Sequence, residues 1–94
     1  MLYMVTARFK PGVEERHAAL AGEFAQHMRQ PILRIRMVGA LLDDKSEKAG
    51  ILMMMETDER EQLDHFLEIS PYVREGLYAS VSIDVLQIEA GGLK

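Results

Sequence analysis

The sequence has no cysteine, no tryptophan, only three prolines in 94 residues, and no apolar run long enough to cross a membrane. Without cysteine, disulfides, thiolate metal ligands and a cysteine nucleophile are excluded together. The same absence fits a reducing cytosol, so a cytoplasmic protein is expected. A membrane span needs about 20 consecutive apolar residues, so no membrane partner is expected either. Positive charge is scarce too: eleven Lys and Arg are scattered among fifteen Asp and Glu, for a net charge of −4. No basic stripe marks the footprint of a phosphate backbone, which argues against nucleic acid as a partner. Met1-Leu2-Tyr3-Met4-Val5-Thr6 runs directly into Arg8 and Lys10, without the basic start or cleavage site of a leader, and reads as a strand.

What is present is ordinary globular material, 48% hydrophobic and 28% charged. The length suits one domain over residues 1–94, with a core small enough to gain from a partner's surface. Leu2 to Phe9 is apolar on both alternating sets, the pattern of a strand covered on both faces. Lys10-Pro11-Gly12 makes a turn. A helix is predicted from Val13 to Arg29, ended by Pro31, with Val13, Leu20, Phe24 and Met28 as its apolar stripe. At ~100° per residue, His17 and His27 flank that stripe and lean toward the core. Ile32 to Leu42 alternates, with Leu33, Ile35, Met37 and Leu41 on one side and Arg34 and Arg36 on the other. Asp43 to Gly50 reads as a hairpin loop, and Ile51 to Met55 as a second strand covered on both faces.

Asp58 and Glu61 have capping-box spacing for a second helix, which carries Leu63, Phe66 and Leu67 and ends near Ile69. Ala79, Val81, Ile83 and Val85 alternate with Ser80, Ser82 and Asp84 in a last strand, and Gly91 to Lys94 reads as a frayed tail. One stretch, Ser70-Pro71-Tyr72-Val73-Arg74-Glu75-Gly76-Leu77-Tyr78, follows neither period. Pro71 pushes Ser70 out of the helical region and Gly76 offers a left-handed exit, so a bend carrying two tyrosines is expected to wall a site.

The order βαββαβ, with strands one and three apolar on both sides and strands two and four alternating, predicts a ferredoxin-like α+β fold. Its four-stranded antiparallel sheet has helices on one face, as in dimeric α/β barrels. The other face then carries apolar side chains, either Met53 and Met55 or Leu52 and Met54. A homodimer joined through that open sheet face is the expected cover.

These features resemble the YCII-related (YciI-like) family: the element order, the opening Met1-Leu2-Tyr3, and the closing Ser70-Pro71-Tyr72-Val73 with Gly76, Tyr78, Val81 and Ser82. The likeness spans nearly the whole chain, and its specific part is residues 70 to 82. It implies a ferredoxin-like domain that dimerises by joining sheets. In some members it implies a small enzyme with a His/Asp pair in a pocket, one branch being a dehydrochlorinase of a chlorinated hydroxyquinol. This chain departs from the pattern at both members of the pair. Ser70 stands where the family has the aspartate of Asp-Pro-Tyr, and the family histidine falls opposite Ala19. The nearby histidine, His17, is two positions away, a rotation of ~200° on a helix.

Each candidate has a chemical and a structural reading. His17 is a general base titrating near neutrality, or a buried histidine with a structural partner. Ser70 orients a ligand or a histidine, or simply bonds locally in its turn. Tyr72 and Tyr78 stack on an aromatic ligand, or pack with their hydroxyls wet. Arg34 and Arg36 clamp an oxyanion, or form a solvated edge that resists aggregation. Glu61 and His65 have ligand spacing, but two ligands one turn apart are commonplace on solvated helices. His17 and His27 stand ~15 Å apart along a helix, so no metal and no cofactor are expected. The methionines read as core and interface fillers.

Two functions follow. One is a cofactor-independent lyase or isomerase of a small cyclic oxygenated substrate, with His17 and Ser70 as the catalytic pair and Tyr72, Arg36 and Tyr78 binding the ligand. The other is a non-catalytic ligand-binding or assembly module that has lost the His/Asp pair.

Overall fold

Alternation decides the sheet. In the computed structural model, which describes residues 1–92, strands β1 (Leu2–Phe9), β2 (Arg34–Leu42), β3 (Lys48–Glu56) and β4 (Tyr78–Leu86) form one antiparallel sheet ordered β2-β3-β1-β4. The two strands with two-sided apolar sequences are the inner pair, and the alternating ones are the edges. Helices α1 (Glu14–Ala19), α2 (Ala21–Met28), α3 (Arg60–Glu68) and α4 (Pro71–Arg74) cover one face. Tyr3, Val5, Ala7, Ile51, Met53 and Met55 point at them and are at most 5% exposed. This is the ferredoxin-like α+β arrangement. Leu2, Met4, Leu52 and Met54 point the other way and are only half-buried, so within one copy the inner strands are fully covered on a single side. Among the described residues no helix is long and apolar enough to cross a membrane. Of the tail expected at Gly91 to Lys94, Leu93 and Lys94 lie outside the described residues.

The first predicted helix is divided. Leu20, at φ −94° and ψ 0°, separates α1 from α2, although the Phe24 N–H still donates to the Leu20 carbonyl at 2.9 Å. Both histidines face the core as expected, at 8% and 5% exposure. The His27 Nε2–H donates to the Phe66 carbonyl at 2.8 Å and its ring stacks on Phe66 at 4.1 Å, joining α2 to α3. The expected Asp58 cap does not form. Asp58 instead faces the N-terminal ammonium at 3.4 Å, and the Thr57 hydroxyl accepts the Glu59 N–H at 3.1 Å. Ser70 is extended (φ −60°, ψ 135°) ahead of Pro71, and Gly76 adopts φ +67°.

Three ladder irregularities reassign side chains. In the β2–β3 ladder Ile35 opposes Met55 and Met37 opposes Met54, so Arg36 is an inserted bulge residue. The single side expected for Leu33, Ile35, Met37 and Leu41 is thereby broken: Ile35 faces the helices, whereas Met37 and Leu41 turn to the open face. β1 and β3 approach so closely beside Gly50 that a Cβ there would run into the Ala7 carbonyl oxygen. Only glycine fits that position.

Gly50→Ala is therefore expected to destabilise the fold by about 2–3 kcal/mol through backbone overpacking. Gly22→Ala, in α2 with nothing within 4 Å, should stabilise it by about 0.5–1 kcal/mol. Urea unfolding of both variants checks the contrast. A second expectation comes from burial, which lowers the pKa of His27 from its ordinary 6.5, the bond to Phe66 opposing the shift. The native state then binds a proton less readily than the unfolded chain, so stability is full above about pH 6.5 and falls as the pH drops below it. His17, also lowered, adds to the same slope. His27→Gln, whose amide can still donate to Phe66, should flatten part of that fall in stability measured against pH.

Candidate functional site

Two single-residue insertions build the site, one on each flank of β1. Arg8 opposes Ser80 and Phe9 opposes Tyr78, so Ala79 has no opposite residue. In an unbroken ladder Ala79 would share the face of Val81 and Tyr78 would point to the open side. The bulge brings Tyr78 round to the helix side instead, against Phe9 at 5.3 Å. On the other flank Leu41 opposes Gly50 and Leu42 opposes Lys48, so Ala49 is the extra residue. Strict alternation would have sent Lys48 to the open face; the bulge turns it under the helices. Between them, α1 lays the His17 ring on Phe9, with centroids 4.2 Å apart and planes 13° from parallel.

Phe9, His17 and Lys48 border a cavity of about 210 Å³. Its inner surface is Phe9, His17, Lys48 and Ala49, its side is Lys10-Pro11, and the exposed carboxylates of Glu14, Asp43 and Glu47 stand around it. The turn that presents the last two is held by Asp43, whose Oδ1 accepts the N–H groups of Lys45 at 2.8 Å and Glu47 at 3.0 Å. The Lys48 ammonium points inward, 5.8 Å from the centroid of the Tyr72 ring.

The electrostatics follow from burial. Among the described residues no side chain is hydrogen-bonded to the His17 ring. Desolvation, and next the positive charge of Lys48, push its pKa below 6.5, with Glu14 acting weakly the other way. His17 is thus a neutral imidazole at pH 7 with its ring nitrogens uncommitted, unlike His27. Lys48 is also lowered by burial. The phenols of Tyr72 and Tyr78 are raised by burial, Tyr78 further by its neighbour Tyr72, so both remain protonated donors. Tyr72 donates to the His17 carbonyl at 3.3 Å. The Tyr78 hydroxyl is buried without a partner among the described residues.

The five residues singled out by sequence do not form one constellation. His17 lines the cavity and Tyr78 lies one ring away, behind Phe9. Tyr72 is 0% exposed, enclosed by Phe24, Phe9 and Tyr78, so the expected site wall is a piece of the core. Ser70 is 2% exposed as the residue before α4 and is not among the residues lining the cavity; it is not joined to His17. Arg36 pairs with Glu56 at 3.2 Å and stands opposite Met54 and Met55, roughly 20 Å along β3 from Lys48 at ~3.3 Å per residue. Within one copy it belongs to the other end of the sheet.

Lys48 was the residue missed. Its only sequence signal is the pair of small residues after it, Ala49-Gly50, at the start of a strand. Among the described residues no three of His, Asp, Glu or Cys are grouped to hold a metal ion.

The 5-chloro-2-hydroxyhydroquinone dehydrochlorinase of Burkholderia phenoliruptrix AC1100, solved with 2,5-dihydroxybenzoquinone, superposes with a TM-score of 0.82 at 19% identity, covering 93% of this chain and 94% of that one. Rv0793 from Mycobacterium tuberculosis gives 0.61 at 18% identity over 97% and 100%. An antibiotic biosynthesis monooxygenase gives 0.59 at 15% over 96% and 100%. At such identities the likeness is one of fold. No curated protein matches the chain. The sequence model of the YCII-related domain, however, matches residues 1–87, from the first strand through the last, and the chain therefore belongs to the YCII-related family.

Proposed function

We propose that this chain is a cofactor-independent lyase or isomerase of a small cyclic oxygenated substrate, with His17 as the proton acceptor. The observation that carries the reading is the contrast between the two buried histidines. His27 is tied to a carbonyl, whereas His17 has no such bond among the described residues, is held neutral, and lines a cavity. In the proposed step a ring nitrogen of His17 takes a proton from a hydroxyl, or from a carbon beside a carbonyl. The electron pair released expels a leaving group, or the proton returns at another carbon. Kinship with a family whose solved relative includes a dehydrochlorinase of a hydroxylated ring supports the substrate class. At about 210 Å³ the cavity is smaller than the roughly 300–1,000 Å³ of pockets for drug-sized ligands, which suits a single ring.

A second reading, a non-catalytic ligand-binding module, has its own support. Serine stands at 70, and among the described residues no carboxylate is hydrogen-bonded to His17. His17→Asn separates the two. With a chlorinated hydroxyquinol as probe, catalysis predicts halide release that falls by about 10²–10⁴-fold in the variant, with circular dichroism unchanged. Equal rates in wild type and variant would remove His17 from the chemistry; binding without turnover in either would leave the module reading standing.

We propose further that two copies pair through the open sheet face. Half-buried Leu2, Met4, Met37, Leu41, Leu52, Met54 and Leu86 there make an apolar surface that no helix among the described residues covers. Met54→Lys should then convert a dimer to a monomer in sedimentation velocity. A wild type that sediments as a monomer would refute the pairing.

A further inference from the structure

Lys48 combines two features that the other cations of this fold keep apart. Arg34, Arg36, Arg60 and Arg74 have carboxylate partners, and Arg8, Lys10, Arg16, Arg29 and Lys45, which form no ion pair among the described residues, are exposed. Lys48 is half-buried and has no carboxylate partner among the described residues, although Glu14, Asp43 and Glu47 line the same cavity. A lysine at the base of a hairpin ordinarily extends its stem until the ammonium reaches water. Here the Ala49 bulge commits the stem to the helix side, and the ammonium rests over the Tyr72 ring instead. The fold thus holds a partly desolvated positive charge facing aromatic surface, with counter-charges nearby that do not close on it. That is an incomplete electrostatic arrangement, and an anion inside the cavity completes it.

We propose that Lys48 is the anion anchor of this cavity, and that the cavity selects a single-ring ligand carrying one negative charge on oxygen, such as a phenolate, an enolate or a quinonoid oxyanion, over ligands with two. The stacked Phe9 and His17 rings supply planar surface for such a ligand. Its oxyanion lies against Lys48, and the three carboxylates around the cavity oppose a second negative charge. The inference deepens the function proposed above and uses the same cavity, but it requires only that a ligand enters, not that it turns over. Lys48 acts on the ligand and His17 on the proton. The positive charge that holds the oxyanion also lowers the affinity of His17 for a proton, which keeps the base free until a substrate arrives.

The test uses 4-nitrophenol, which titrates near neutrality and whose phenolate is coloured. Bound to the wild-type protein, its apparent pKa should fall by about one unit, a tenfold preference for the phenolate. Lys48→Met and Lys48→Gln should each abolish that shift, and Lys48→Arg should keep it. Halide release from a chlorinated hydroxyquinol, followed in the same wild-type preparation, separates failure of this inference from failure of the catalytic reading. Isophthalate, a planar dianion, should compete poorly with wild type and measurably better with Glu47→Gln. Binding of the neutral phenol, a shift that survives in both Lys48→Met and Lys48→Gln, or no saturable binding would each overturn the proposal. A phenolate preference that depends on Lys48, in a protein that turns nothing over, would sustain it and refute only catalysis.

Discussion

The buried ring of Tyr72 is the constraint on which this structure turns. It is 0% exposed, lies parallel to Phe24 at 4.5 Å, and meets Phe9 and Tyr78 edge-on at 5.2 and 5.9 Å. Its hydroxyl reaches across 55 residues of sequence to the His17 carbonyl. A ring of this size buries on the order of 150–250 Å², and here its neighbours Phe9, His17, Phe24, Lys48 and Tyr78 each belong to a different element: β1, α1, α2, β3 and β4. The local backbone is built to hold it. Pro71 starts the short helix, Gly76 leaves it through the left-handed region, the Leu77 N–H returns to the Tyr72 carbonyl, and the Lys10 N–H closes onto Leu77. The floor of the cavity and the height of α1 above the sheet are both referred to this one side chain.

Within this frame two histidines in the same helical layer have different duties. Both are buried and both are held neutral, so burial alone does not distinguish a structural imidazole from a chemical one. The difference lies in what the ring nitrogens do. His27 spends its Nε2–H on a carbonyl of the neighbouring helix and its face on Phe66. Among the described residues His17 uses its face, against Phe9, and its backbone carbonyl, toward Tyr72, and no ring nitrogen. Polar capacity unused by the fold is the better guide to function.

The architecture was legible in the sequence because it is written in periods. The two-sided apolar runs of Leu2 to Phe9 and Ile51 to Met55 could only be inner strands, and the 3.6-residue stripes placed both histidines inward. The site was less legible, because its makers are departures from period. Nothing in Lys48-Ala49-Gly50 or Tyr78-Ala79-Ser80 states that one alanine will be skipped by its partner strand; that depends on the register of a neighbour far away in sequence. Reading through the bulges gives Lys48 and Tyr78 the wrong face, and reading through Arg36 gives Met37 and Leu41 the wrong one. The bend at 70 to 78 is legible in its backbone, yet its tyrosines, expected to wall a site or to pack with wet hydroxyls, are drawn inward, Tyr72 fully and Tyr78 with its hydroxyl buried.

The two alanine bulges carry a consequence for how such a pocket changes over time. Its chemistry is set by the register of the β1–β4 and β2–β3 ladders as much as by the identity of any side chain. Gain of a single codon between those for Leu41 and Leu42 would give Ala49 a partner, restore regular pairing, rotate Lys48 to the opposite face, and leave an aromatic cavity bordered by carboxylates with every other residue in place. Insertion and deletion, usually confined to loops, here act as a selector between ligand classes on a sheet that keeps its topology.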